Sequence, residues 1–116
     1  MHVQPNIVVA RSFWARFKGL MLSCPLPADQ ALLIPRCASV HTFFMRYALD
    51  LVYLDRHGAV VKLARDVRPW RMSWGGSGAT QILEMAAGGI ERHGVQVGDV
   101  MVALSKMEKQ HAVQTP

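Results

Sequence analysis

The sequence has little cysteine, little charge and no long apolar run. Its 116 residues include two cysteines, Cys24 and Cys37, too few for the disulfide framework of a small secreted domain. Apolar residues make up 51% and charged residues 18%, which excludes a disordered or fibrous chain. The most apolar stretch, 42–54, carries Arg46 and Asp50 and falls short of the ~20 apolar residues of a membrane-spanning helix. No signal-peptide pattern occurs at the N-terminus, so we expect a cytoplasmic protein.

The length and charge set the domain organisation and permit an anionic partner. A chain of this size forms one domain, which we place at residues 1–105, and the polar tail at 106–116 is expected to be flexible. Thirteen Lys and Arg against eight Asp and Glu give a net charge of +5. Such a charge is compatible with an anionic partner but does not require one.

Short β-branched and apolar segments predict a mainly-β fold. Strands are expected at seven places: 7–9, 31–34, 40–45, 51–54, 60–64, 79–85 and 100–104. The segment 55–58 predicts a hairpin turn with Gly58 at positive φ, and the strand before it is apolar on both faces, as a strand covered on both sides would be. Short helices are predicted at 12–18 and 88–93, and the Gly-rich segment 65–78 is predicted to be a loop. The pattern therefore indicates a single compact domain with a β-sandwich-like or barrel-like fold.

Several ordered motifs identify a family. The segment 39–46, SVHTFFMR, followed by Asp50, Leu54-Asp55 and Gly58, resembles the central signature of the domain of unknown function 192 (DUF192) family. Further matching motifs lie at Lys18–Met21, Pro69–Arg71, Leu83–Glu84, Ala87–Gly88 and Val97–Asp99. The resemblance extends from about Arg16 to Leu104. It implies a β-sandwich-like fold with a short N-terminal helix, in a family of uncharacterised bacterial and archaeal proteins, and brings no catalytic mechanism.

A polar cluster interrupts the apolar stretch: His41, Thr42, Arg46 and Asp50. Burying an unpaired charge strongly destabilises the folded state, so Arg46 and Asp50 are expected to be paired or to face a pocket. In one interpretation Arg46 binds a carboxylate or phosphate, and His41 and Asp50 complete the hydrogen bonds. In the other, Arg46 and Asp50 form a structural ion pair and His41 is a satisfied core residue. The sequence leaves both open.

A second group combines tryptophan with arginine. Trp70 and Trp74 alternate with three arginines: Arg65, Arg68 and Arg71. Trp and Arg dominate binding hot spots and stack on bases or sugar rings, although Trp70 could instead fill the end of the sandwich. The predicted ligand-binding residues, drawn from both groups, are His41, Thr42, Arg46, Asp50, Trp70 and Arg71.

Metal binding and catalysis have weaker support. Cys37, His41 and Met45 have a spacing reminiscent of copper sites, but on a regular strand they would spread over roughly 26 Å. Cys37 and His41 would lie ~13 Å apart on such a strand, too far for a nucleophile and its base. We therefore predict no metal or cofactor, and leave enzymatic activity open but unsupported.

The favoured hypothesis is a non-enzymatic binding domain for a small polar or anionic ligand near His41, Arg46 and Asp50, under the loop that carries Trp70. The first alternative is a module that binds protein or nucleic acid through the Trp/Arg loop. The second alternative is a copper-binding protein that uses Cys37, His41 and Met45.

Overall fold

The fold is mainly β, as the sequence predicts. The computed structural model describes residues 5–9, 26–42 and 45–101, and within these it contains seven strands and one short helix. The strands are β1 Asn6–Val9, β2 Gln30–Pro35, β3 Ser39–His41, β4 Leu49–Leu54, β5 Val60–Val67, β6 Met72–Trp74 and β7 Gln81–Ala86. The helix α1, Gly89–Arg92, is a single turn that follows β7.

The strands form two sheets of unequal size. The larger has the order β1-β2-β7-β4-β5, with β1 and β2 parallel and the other neighbours antiparallel. The smaller consists of β3 and β6, which pair antiparallel and are called the ribbon below.

The core lies on both faces of the larger sheet, and every residue of β4, an inner strand of that sheet, is buried. On one face Val52 and Leu83 pack with Ile90 of α1. On the other face Leu51 and Tyr53 belong to a second cluster, and Val40 of the ribbon packs against it. The ribbon and α1 therefore cover opposite faces of the sheet. The prediction of a strand covered on both sides is confirmed.

The predicted hairpin turn is also present between β4 and β5. Gly58 has φ 86°, and Oδ1 of Asp55 accepts the backbone N–H groups of His57 and Ala59 at 2.8 and 3.0 Å. These hydrogen bonds lower the pKa of Asp55 because they stabilise the charged carboxylate, and the bond from Ala59 contributes most.

Three local predictions need correction. The segment 65–78 is only partly a loop, because β5 extends to Val67 and β6 pairs with β3 despite the nearby glycines. The strand predicted at 40–45 ends at His41. The backbone of the next residue, Thr42, forms hydrogen bonds with the turn at residues 68–71 and not with a strand. Within the described residues, the strand predicted from Val100 is reduced to an isolated bridge between that residue and Ala59.

Some predictions concern residues outside the ranges that the structure describes. The helix at 12–18, the end of the strand at 102–104 and the tail at 106–116 lie outside the described residues. The division into a domain and a tail therefore stays a prediction. Among the described helices, none has the length and apolar composition needed to cross a membrane.

Candidate functional site

The ribbon presents one face to solvent. In its register Ser39 lies opposite Trp74 and His41 lies opposite Met72. Since side chains alternate along a strand, these four residues share a face, called the ribbon face below. All four are exposed, Met72 by 77% and Trp74 by 62%. The ribbon face therefore exposes two large apolar side chains.

The opposite face of the ribbon is attached to the core. Val40 packs against the core cluster of the larger sheet, and Oη of Tyr53 donates a hydrogen bond to Oγ of Ser73 at 2.7 Å. Gly75 allows this approach, because a Cβ at that position would lie 2.6 Å from both Cγ of Tyr53 and Cβ of Ala79. The ribbon is thus fixed on the sheet with its apolar surface outward.

A turn at residues 68–71 places a third large apolar side chain beside the ribbon. Pro69 and Trp70 occupy its centre, and Trp70 has φ 64° and is 56% exposed. Proline followed by a residue of positive φ is typical of type II turns, in which glycine usually takes the second place. A left-handed backbone costs a bulky residue about 1–2 kcal/mol. Strain of this kind often marks functional positions.

Thr42 holds this turn in place. Its hydroxyl donates to the carbonyl of Arg68 at 2.6 Å and accepts the N–H of Arg71 at 2.9 Å, so it bridges the two ends of the turn. The backbone adds two bonds, from the Thr42 N–H to the Arg71 carbonyl at 2.8 Å and from the Trp70 N–H to the Thr42 carbonyl at 3.0 Å. With 1% of its surface exposed, Thr42 is a positioning residue for Trp70.

Asp50 lies apart from the ribbon, on the face of the sheet that α1 covers. Its Oδ1 accepts the N–H of Asp66 at 2.9 Å, and its Oδ2 accepts the N–H of Ile90 in α1, also at 2.9 Å. The single salt bridge among the described residues joins Arg68 to Asp66 at 3.4 Å. The Arg46–Asp50 ion pair of the structural interpretation is therefore absent, and backbone N–H groups balance the buried carboxylate instead.

Four of the six predicted ligand residues come together. His41, Thr42, Trp70 and Arg71 lie at the junction of the ribbon and the turn. Arg46 is exposed. The residue before it, Met45, donates its N–H to the Thr42 carbonyl at 3.2 Å, so Arg46 lies near the same junction. Asp50 is the predicted residue that the structure separates from the group. Their roles in ligand binding stay predictions.

The two segments that contain the ribbon are strongly basic. The segments 36–46 and 60–75 carry six Lys or Arg residues and a single acidic residue, Asp66. All six basic residues are exposed: Arg36, Arg46, Lys62, Arg65, Arg68 and Arg71. Nζ of Lys62 donates to the carbonyl of Trp74, which brings one positive charge directly to the ribbon. A surface of this composition attracts anions.

Glu84 is a buried acid on the ribbon side of the sheet. It belongs to the Leu83–Glu84 motif noted in the sequence but was not among the predicted site residues. It is 4% exposed, and its Oε2 has no hydrogen-bond partner. Burial raises its pKa from 4.5 to about 7. Burial also raises the pKa of Tyr53, with the Cys37 and Glu84 charges as smaller contributions. The sequence signal was a lone carboxylate in the apolar run Ile82–Met85.

The proposed copper ligands occupy three different environments. Cys37 is half-buried and its Sγ donates to the carbonyl of Ser39 at 3.0 Å, His41 is exposed, and Met45 packs against the core cluster. Within residues 5–9, 26–42 and 45–101, no group of three or more His, Cys, Asp or Glu side chains could hold a metal. The copper hypothesis stays a prediction.

Fold and surface together define a small mainly-β domain with an exposed apolar ribbon in a basic part of the chain. The chain belongs to the DUF192 family, described as uncharacterized ACR, whose family model matches residues 2–103. The resemblance noted in the sequence is thereby confirmed.

Archaeal relatives and a solved bacterial structure are similar to the chain. It is 35% identical over 98 residues to a UPF0127 protein of Thermococcus sibiricus, covering 81% of this chain and 63% of that protein. It is 37% identical over 104 residues to a UPF0127 protein of Pyrococcus furiosus, covering 84% of this chain and 85% of the relative. The crystal structure of a protein of unknown function from Novosphingobium aromaticivorans matches with a TM-score of 0.68 and 21% identity, over 81% of this chain and 71% of that one. This likeness shows the fold alone.

Proposed function

We propose that the chain is a non-enzymatic binding domain for an anionic ligand, and that the ribbon face and the Trp70 turn form its binding surface. One observation carries this proposal. Three large apolar side chains, Trp70, Met72 and Trp74, are 56–77% exposed, and the two segments that contain the ribbon and the turn carry six exposed basic residues and one acid. Adjacent exposed apolar side chains of this size are typical of interaction sites, and Trp and Arg are enriched among residues that dominate binding energy.

The geometry suggests separate roles for the residues of this surface. Trp70 offers an aromatic face to the ligand, while Arg71 and Arg46 supply positive charge to its anionic group. His41 lies opposite Met72 on the ribbon face, so its side chain borders the bound ligand. Thr42 contributes indirectly, by holding the turn. Asp50 contributes to the fold on the other side of the sheet.

Isothermal titration calorimetry with a panel of mononucleotides, sugar phosphates and organic dicarboxylates tests this function. We expect at least one compound to bind, with affinity reduced at least tenfold by Trp70→Ala and by Arg71→Ala. Arg92→Ala is the matched control, because it removes one exposed positive charge from α1 on the opposite face. A hit that both turn variants bind normally would overturn the proposed surface, and so would binding that only the control weakens.

Two further predictions remain tied to the sequence. A cytoplasmic location is one. Copper binding through Cys37, His41 and Met45 is the other, and it predicts a thiolate-to-metal absorption band that Cys37→Ser removes. The exposed ribbon favours ligand binding over the copper hypothesis.

A further inference from the structure

We propose that the ligand of the ribbon face is a single-stranded nucleic acid, whose bases stack on Trp70 and Trp74 and whose phosphates contact the surrounding arginines. The proposal rests on the proposed function and names its ligand class. It is carried by the spacing of the apolar side chains, by the charge around them and by the way the ribbon is held.

The spacing of the ribbon suits an extended strand. Met72 and Trp74 are alternate residues of β6 and share the ribbon face, so their Cα atoms lie ~7 Å apart at 3.3 Å per residue. Stacked bases in a duplex are separated by 3.4 Å, about half as much. A single strand on this face would therefore be stretched, with its bases separated from one another and placed against protein side chains. Proteins that bind single strands without sequence preference commonly stack bases on aromatic rings in this way.

The charge around the ribbon matches a phosphate backbone. Six exposed basic residues lie in the two segments that contain the ribbon and the turn, and Asp66 is the single acid in these segments. A nucleic acid supplies one negative charge per nucleotide along its whole length. A protein partner would need an equally dense run of acidic residues opposite this surface. Charge complementarity therefore favours nucleic acid over a protein of ordinary composition.

The ribbon and turn hold the stacking surfaces rigidly. The ribbon is joined to the sheet through Tyr53 and Ser73, and the Thr42 hydroxyl fixes both ends of the turn that carries Trp70. Because the backbone that carries Trp70 and Trp74 is held in place, a base that stacks on them loses little binding energy to ordering the ribbon and the turn. In a duplex the base faces are occupied by neighbouring bases, so the surface should prefer single strands.

Fluorescence anisotropy with labelled oligothymidylates of one, two, four and eight nucleotides tests the proposal. We expect affinity to rise with length up to about four nucleotides, the number that three apolar side chains along the turn and the ribbon accommodate. With three or four phosphate contacts, the slope of log K against log salt concentration should be about −2 to −3. An oligouridylate of eight nucleotides in parallel distinguishes RNA from DNA as the preferred strand.

Variants separate stacking from charge. Trp74→Ala should weaken binding of the eight-nucleotide strand about five- to a hundredfold, and Trp74→Phe should retain most of the affinity because a ring remains. Arg71→Ala should make the salt slope shallower by about 0.7, whereas the control Arg92→Ala should leave it unchanged. Trp74 is exposed, and circular dichroism of each variant verifies that it is folded. Arg71→Glu provides a second variant, in which the charge at this position is reversed.

The outcomes also distinguish this proposal from the proposed function. Binding of thymidine monophosphate as tight as that of the eight-nucleotide strand would overturn the nucleic-acid proposal and leave the anionic-ligand function standing. Equal binding of an acidic peptide, with the same dependence on Trp74, would identify a protein partner instead. Preference for duplex DNA would contradict the stacking geometry. Absence of binding both to these strands and to the small-anion panel would overturn both proposals.

Discussion

The buried carboxyl of Glu84 makes the stability of this protein depend on pH in a predictable direction. The side chain lies in the centre of the larger sheet, where its Cα neighbours in the register are Leu32 and Leu51. Its Oε2 has no hydrogen-bond partner, and burial raises its pKa from 4.5 to about 7. The folded state therefore keeps a proton that the unfolded state releases between these two values.

The size of the effect follows from the shift. Well below pH 4.5 both states are protonated, and the group contributes no pH dependence. As the pH rises, the unfolded state ionises first and gains stability relative to the folded state. A shift from 4.5 to about 7, at 1.36 kcal/mol per pKa unit, lowers the free energy of unfolding by about 3 kcal/mol. Most of the loss occurs by pH 7, and the effect levels off above the folded pKa.

The variant Glu84→Gln isolates this contribution, because the amide has nearly the same shape and does not ionise. Urea unfolding, followed by tryptophan fluorescence from about pH 4.5 to about pH 8.5, gives the free energy of unfolding of each protein. The free energy of unfolding of the wild type minus that of the variant should fall by about 3 kcal/mol as the pH rises across this range. Other titrating groups are common to both proteins and cancel. A flat difference, or one that favours the wild type as pH rises, would refute the reasoning.

Three further predictions concern residues that support the site. Thr42→Val removes the hydroxyl that bridges the Trp70 turn and should lower the free energy of unfolding by about 1–3 kcal/mol. Thr42→Ser keeps the hydroxyl and should retain most of the stability, and equal losses for the two variants in urea unfolding would argue against the bridge. Gly75→Ala should destabilise strongly, because the added Cβ would lie 2.6 Å from a tyrosine ring carbon, whereas Gly78→Ala, with nothing within 4 Å, should be near neutral in a thermal melt. Asp50→Asn weakens two hydrogen bonds from backbone N–H groups and should lower the free energy of unfolding by about 1–3 kcal/mol. Ligand affinity measured by calorimetry should not change, and an affinity loss in the folded variant would place Asp50 in the site.

The fold was largely predictable because its core strands have simple patterns. The double-faced apolar run of β4 and the Asp-x-x-Gly turn after it are local signals, and the structure confirms both. The strand β6 was missed because its pairing with β3 is a tertiary contact across 31 residues or more, between a three-residue strand and a segment rich in glycine. Local sequence carries no signal for such a pair.

The candidate site was predictable in composition but not in arrangement. Trp70 and Arg71 drew attention because they are strong binding residue types in a polar segment. Asp50 drew attention because it is a charge within an apolar strand, but the same pattern also describes a carboxylate that accepts backbone N–H groups. The side of the sheet that a residue faces depends on register, which separated Asp50 from His41.

A nuclear magnetic resonance titration tests the central claim most directly, that the ribbon face and the Trp70 turn form the binding surface. Amide chemical shifts of the labelled protein are followed while an eight-nucleotide oligothymidylate is added. The account predicts that the largest changes occur at residues 39–42 and 70–74, and that α1 at Gly89–Arg92 changes little because it lies on the opposite face of the sheet. Changes centred on α1, or no changes at the ribbon at saturating oligonucleotide, would contradict it.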